Sequence, residues 1–252
     1  MRSILLTLFT LFCLTDGIQA AHVPSAITGE KTVPLVAHRG CWSGDSLPQN
    51  SLAAFRKALR QNIYGTEFDV HQTLDGKFVV NHDDTFQGMK IARTTYADLC
   101  TATLPNGETI PLLENFLRTY CELRPSVLMV VELKTCSVDA VVRLIEQYNV
   151  LSRCLFISFS WQYCLELVDK GLGPVTAYLS ADLTPQQLKD AGIGGINYHF
   201  SHYQSHPTWI PQAQQLGLWT GVWTVNDPAL MSDFLNQKVV VTTDNVFQEN
   251  NK

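Results

Sequence analysis

The chain has 252 residues, of which 46% are hydrophobic and 16% charged, with a formal net charge of -5. That balance excludes wholesale disorder and allows one large core, and the length suits a single α/β barrel domain. No basic tail or stripe is present, so nucleic acid is excluded as a partner. A bound anion would have to be held locally, by a metal or a few cations.

The first twenty residues read as an export signal. Arg2 gives a short positive start, Ile4 to Leu14 is an apolar run too short to span a bilayer, and Thr15 to Ala20 is polar and ends in a small residue. Cleavage is expected after Ala20, leaving residues 21–252 as one exported domain, periplasmic or extracellular, with no segment that would insert stably in a membrane. Arg2 and Asp16 leave together, so the mature chain keeps its charge of -5. Cys13 leaves too. The remaining Cys41, Cys100, Cys121, Cys136, Cys154 and Cys164 show no C-x-x-C spacing, which argues against a redox motif or a zinc knuckle. They are read as small buried residues, with room for one disulfide.

From residue 35 onward, short β-branched runs alternate with helical patterns. The expected strands are Leu35–His38, Thr66–Val70, Val127–Glu132, Cys154–Ile157, Val175–Leu179, Gly195–Tyr198, Leu218–Trp223 and Val239–Thr242. Helices are expected over Ser51–Gln61, Leu112–Cys121, Val138–Tyr148, Trp161–Asp169, Pro185–Asp190, Pro207–Leu216 and Pro228–Asn236. Alternation implies a parallel sheet, and eight strands imply a closed TIM-type (β/α)8 barrel. An open doubly wound sheet is the alternative, weakened by the lack of a Gly-rich loop after the first strand. Thr73 to Asp84 reads as a β-hairpin turning at Asp75-Gly76, an excursion after the second strand.

Polar residues at strand ends carry the chemistry. Side chains alternate along a strand, so Glu67 and Asp69 share a face, as do Glu132 and Lys134, and Trp219, Gly221 and Trp223. Glu67, Asp69 and Glu132 should therefore meet at one end of the barrel. Three clustered carboxylates repel unless a cation or protons relieve them, and an all-oxygen set suits one hard divalent cation, Ca²⁺ or Mg²⁺. The bland alternative is a metal-free network tied to Arg39 and Lys134. His38 and His82 at the same mouth could move protons near neutral pH, and Arg39 and Lys134 suit a phosphate. Together these groups point to metal-assisted phosphoryl chemistry.

Six pieces in chain order carry a resemblance: HRG from His38, EFDV from Glu67, DGKFVVNHD from Asp75, ELK from Glu132, WTVN from Trp223 and TTD from Thr242. The sequence resembles the glycerophosphodiester phosphodiesterases, of the barrel group that includes phosphatidylinositol phospholipase C. The resemblance implies metal-dependent hydrolysis of a small glycerophosphodiester to glycerol 3-phosphate and an alcohol. It implies His38 and His82 as the acid/base pair and Glu67, Asp69 and Glu132 as metal ligands. Arg39 and Lys134 would contact phosphate, and Trp223 would line the pocket. One departure from the family pattern is Pro48-Gln49-Asn50-Ser51, where relatives usually carry Pro-Glu-Asn-Thr.

Two rival functions use the same residues: a lyase that stops at a cyclic phosphate, and a protein that only binds a phosphodiester. The paired histidines argue against the second, since binding needs no proton transfer. Other polar residues are given quieter roles. His199, His202 and His206 are read as loop, with His199 nearest the substrate, and His71 as loop beyond its strand. Asp83 is read as orienting the hairpin, Trp42 as pocket or packing, and Asp244 as structural.

Overall fold

The computed structural model describes residues 33–44 and 47–246. The expected export signal and Cys13 lie outside the described residues. Among them, the barrel strands are β1 (Val33–Ala37), β2 (Ile63–Gln72), β6 (Leu128–Leu133), β7 (Cys154–Ser158), β8 (Thr176–Tyr178), β9 (Gly195–His199), β10 (Trp219–Trp223) and β11 (Val240–Thr243). Each pairs in parallel with its neighbour. β1 pairs with β11 on one side and β2 on the other, so the eight-stranded sheet closes. The strands are near-continuous apolar runs because helices cover the barrel outside.

The helices are α1 (Leu52–Ala58), α2 (Tyr96–Leu99), α3 (Leu113–Leu123), α4 (Val138–Gln147), α5 (Trp161–Asp169), α6 (Pro185–Asp190), α7 (Phe200–Ser205), α8 (Trp209–Gln215) and α9 (Pro228–Asn236). Their starts are set locally. Ser51, Thr95, Ser137, Ser160, Thr184 and Asp227 each accept a hydrogen bond from a first-turn amide. Pro185 and Pro228 stand where a helix needs no amide proton.

Two expectations are corrected here. The stretch after β9 is not loop but α7: Tyr203 is buried and its hydroxyl donates to the Gly221 carbonyl at 2.7 Å. A turn and a half holds too few apolar residues for its period to stand out in sequence. His71 is not loop either. β2 runs on past the barrel edge, and the chain returns through Asp75-Gly76 as β3 (Phe78–Val80), antiparallel to Val70–Gln72.

Residues 81–112 then form a small annex with strands β4 (Thr85–Phe86) and β5 (Met89–Lys90) and a core of Val79, Phe86, Ile91, Leu99 and Ile110. Glu108 clamps the annex to the barrel. Its carboxylate accepts from Leu52 N at 2.8 Å and Ala53 N at 3.2 Å, at the positive end of α1. The described cysteines, Cys41 to Cys164, are free thiols; Cys41, Cys136, Cys154 and Cys164 are buried.

The outer face of β2 anchors the strand that carries two of the acids. Phe68, between Glu67 and Asp69 in sequence, points the other way. It packs on Phe55 of α1 at 5.6 Å, edge to face, and on Phe116 of α3 at 5.0 Å. Phe55 and Phe116 meet at 4.3 Å. Phe116→Ala should therefore lower stability by about 3–5 kcal/mol, the usual cost of emptying a buried aromatic site; urea denaturation reads this directly.

Candidate active site

At the C-terminal mouth of the barrel, β2 and β6 run in register with Asp69 opposite Glu132. Glu67, Asp69 and Glu132 are 3%, 1% and 8% exposed, and one oxygen from each lies within 4.8 Å of the others. Among the described residues they form the one group of three or more His, Cys, Asp or Glu side chains so placed. Glu67 Oε1, Asp69 Oδ1 and Glu132 Oε1 are buried without a hydrogen-bond partner. Burial, then Asp69, then Glu132 push the Glu67 carboxyl well above the usual range. Burial and Asp69 raise Glu132 to about 7, against the pull of Lys134 and Arg39. Glu67 Oε1, with no partner, and Asp69 Oδ1 and Glu132 Oε1, with only Lys134 beside them, make an all-oxygen set that fits a hard divalent cation.

Positive and neutral groups surround the triad. Lys134 Nζ lies 2.6 Å from Glu132 Oε1 and 3.2 Å from Asp69 Oδ1, close enough to pair in charge without hydrogen-bond alignment. Burial pushes the lysine down, but Asp69 and Glu132 more than offset it and hold it above its ordinary value. Asn50 Nδ2 donates to Asp69 Oδ2 at 2.8 Å.

Arg39 sits in left-handed backbone at φ 57, followed by Gly40 at φ 82. That turn aims the Arg39 amide at Glu67 Oε2, 2.9 Å away, and brings its Nε to 3.8 Å from Asp69 Oδ2. A β-carbon on Gly40 would meet the Ala54 backbone at 2.8 Å, so the turn needs glycine. The Arg39 guanidinium donates to Gln49, which is how the residue that departs from the family pattern is used. A glutamine there holds the arginine without neutralising it.

Each histidine carries its own carboxylate. His38 Nδ1 donates to Asp244 Oδ1 at 2.7 Å, and Asn226 Nδ2 donates to Asp244 Oδ2 at 2.7 Å. Burial pushes the Asp244 carboxyl up, but these hydrogen bonds outweigh it and hold it below the usual range. Asp244, expected to be structural, is thus the orienting partner of His38; the pairing spans 206 positions and leaves no local trace. His82 Nδ1 donates to Asp83 Oδ1 at 2.7 Å. The buried His71 braces the second histidine from beneath, donating from Nε2 to the His82 carbonyl at 3.2 Å. Both imidazoles therefore have Nδ1 occupied, which leaves Nε2 for proton transfer.

Two cavities meet here. The inner one, about 110 Å³, is lined by His38, Arg39, Glu67, His82, Glu132, Lys134 and Trp223, with Phe159, Leu179 and Asn197 at the wall. Asp69 does not line it. The outer trough, about 430 Å³, shares Arg39 and His82 and continues along Trp42, Leu47, Pro48, Leu104 and Pro105. Trp42 is pinned by its indole, which donates to the His38 carbonyl at 3.0 Å. His199 does not join a metal cluster; its ring stands against Trp223 at 5.2 Å. His206 is turned away onto Trp209, stacked at 4.1 Å.

Residues 38–247 match the model of the glycerophosphoryl diester phosphodiesterase family. A Mycobacterium tuberculosis protein named "Probable glycerophosphodiester phosphodiesterase 2" is 28% identical over 233 residues, covering 81% of this chain and 84% of that protein. The crystal structure of a glycerophosphodiester phosphodiesterase from Parabacteroides distasonis is 35% identical, with a TM-score of 0.80 over 86% of this chain and 94% of that one. An Oleispira antarctica phosphodiesterase, solved with its product sn-glycerol-3-phosphate, is 25% identical, with a TM-score of 0.71 over 83% and 92% of the two chains.

The raised Glu132 gives a pH signature. A carboxyl lifted from 4.5 to about 7 favours the folded state while protonated, so its contribution to stability falls as pH rises through that window. In EDTA, Glu132→Gln should melt close to the parent at pH 4.5 and above it at pH 8. A divalent cation held by the triad would reverse the order at pH 8, because only the parent retains the full oxygen set. Paired thermal melts in both buffers test this.

Proposed function

The chain belongs to the glycerophosphoryl diester phosphodiesterase family, and from that premise we propose that it hydrolyses small glycerophosphodiesters to glycerol 3-phosphate and an alcohol, using a divalent cation and the His38–His82 pair. The observation that carries the reading is the buried cluster of Glu67, Asp69 and Glu132 beside a cavity that two carboxylate-bound histidines also line.

Glu67, Asp69 and Glu132 would hold the cation, Ca²⁺ or Mg²⁺. When bound, it supplies positive charge to the phosphate oxygens and relieves the repulsion within the triad. Arg39 and Lys134 bind the phosphate from the chain's side and offset charge as it builds in the transition state. Arg39 is the better placed to do so because Gln49 orients its guanidinium without cancelling it.

One histidine accepts a proton at Nε2 from the nucleophile, either water or the neighbouring glycerol hydroxyl. The other delivers a proton from Nε2 to the departing alkoxide. Asp244 and Asp83 hold the two rings in the required tautomer and offset the charge of whichever ring is protonated. If the glycerol hydroxyl attacks first, the P–O bond to the alcohol breaks and a cyclic phosphate forms, which water then opens. Trp223, held by its indole donating to the Asn197 carbonyl at 2.8 Å, walls the inner cavity. The export signal expected over residues 1–20 is what supports a location outside the cytoplasm.

Release of glycerol phosphate from a panel of glycerophosphodiesters, run in EDTA and then with Ca²⁺ or Mg²⁺ restored, tests the proposal. Turnover should disappear in EDTA and return with the ion. His38→Ala and His82→Ala should each lower kcat by about 10²–10⁴-fold while the protein stays folded. Undiminished activity in EDTA would sink the metal role, and near-parental kcat in either variant would remove that histidine from the mechanism. Phosphorus NMR that shows only cyclic phosphate would make the protein a lyase.

A further inference from the structure

Far from the acid triad, a turn of the annex carries a reactive dipeptide. Asn106-Gly107 is the one Asn-Gly pair in the chain. Both residues are exposed, and Gly107 has φ 84 with open space where a β-carbon would stand. No side chain at 107 therefore hinders its nitrogen from reaching the Asn106 carboxamide. That carboxamide is folded back along the same turn, its Oδ1 accepting from the Glu108 amide at 3.2 Å. Other asparagines lack the combination. The exposed Asn115, Asn149 and Asn236 precede Phe116, Val150 and Gln237, whose side chains crowd the same approach. Asn50 precedes the small Ser51 but is buried, donating to Asp69 Oδ2 and accepting from the Asp69 amide.

Asn106 also belongs to the clamp that seats the annex. Its Nδ2 donates at 2.8 Å to Glu108 Oε1, on the carboxylate that accepts from Leu52 N and Ala53 N at the head of α1. Were this amide an acid, Glu108 would lose a donor and face a second negative charge at hydrogen-bond distance. An isoaspartate would also lengthen the backbone at 106 by a methylene. The turn has no slack for it: Gly107 N donates to the Leu104 carbonyl at 2.9 Å, Leu104 N donates to the Glu108 carbonyl at 2.7 Å, and Thr103 bridges Thr109.

We propose that Asn106 is a site of spontaneous deamidation, and that its conversion loosens the annex clamp. The Gly107 nitrogen, having lost its proton, attacks Asn106 Cγ. A nitrogen–carbon bond forms, the bond from Cγ to the carboxamide nitrogen breaks, and that nitrogen leaves as ammonia with the proton. Water then opens the cyclic imide at either carbonyl and yields aspartate or isoaspartate. The net change is amide and water to carboxylate and ammonium, with no oxidant or reductant. Because the Gly107 amide is bonded to Leu104, the turn must open first, and local opening paces the reaction. The device stands apart from the mouth of the barrel, since neither Asn106 nor Glu108 lines the inner cavity.

Ageing the folded protein in mildly alkaline buffer, followed by peptide mapping with mass spectrometry and an isoaspartate assay, reads the conversion. The peptide with Asn106 should lose its amide while those with Asn115, Asn149 and Asn236 keep theirs. Asn106→Gln, which retains a carboxamide but closes the imide ring far less readily, should stay unmodified at 106. Asn106→Asp carries the product's charge and reads the consequence. Hydrogen exchange should show residues 81–112 opening about 3–10-fold more often than in the parent, as expected when a contact near a helix terminus is lost, with β6 to β9 unchanged. If Asn106→Asp does not fold, aged parent separated by ion exchange takes its place. An Asn106 that keeps its amide as long as the other three, or an acid at 106 that leaves exchange in the annex at the parent's rate, would overturn the proposal. Neither readout uses turnover, so an enzyme inactive on glycerophosphodiesters would sink the catalytic reading and leave this one to be judged separately.

Discussion

Mutual repulsion among three buried carboxylates is the constraint around which the mouth of this barrel is organised. At separations under 4.8 Å, two full charges repel by roughly 3–4 kcal/mol at an effective dielectric near 20. Burial adds a desolvation cost to each. The fold tolerates this because neighbours share the load: the Arg39 amide on Glu67, Asn50 on Asp69, and Lys134 between Asp69 and Glu132. Glu67 Oε1 is still left without a partner, and the one lysine must serve both Asp69 Oδ1 and Glu132 Oε1. What remains is a cluster of like charges that protons or a cation would relieve.

Holding such a cluster together requires rigidity on the far side of the sheet. β2 cannot swing its acids apart, because Phe68 is locked between Phe55 and Phe116. The strained turn at Arg39 is held in the same way. Its left-handed backbone is unfavourable for an arginine, and the close seat of Gly40 on Ala54 leaves the chain little alternative. Strain and repulsion at the mouth are thus opposed by apolar packing behind it.

The two histidines enter from independent directions. His38 is completed only when β11 closes the barrel beside β1 and delivers Asp244. His82 depends on the annex, whose position is set by Glu108 at the head of α1 and by His71 under the loop. Barrel closure and annex docking must both succeed before the two histidines line one cavity. A phosphodiester lying between them would meet a closed, aromatic-walled cavity on one side and an open trough on the other.

Much of this was legible in the residues alone, because the signals are local. β-branched runs separated by capped helices gave the count and order of the barrel strands, and the two-residue period of a strand put Glu67 with Asp69 and Glu132 with Lys134. The motif order carried the family. Long-range pairing was not legible. Asp244 looked structural because its partner lies 206 positions away, and a hydrogen bond across a closing barrel leaves no mark on either neighbourhood. His71 looked like loop because the length of β2 depends on its pairing with β3. By itself, the sequence determined which chemical groups the chain carries and on which strands they ride. Only the closed tertiary structure decided which of them pair, which are left unpaired, and therefore which are free to act on a ligand, because pairing depends on distances that closure alone creates.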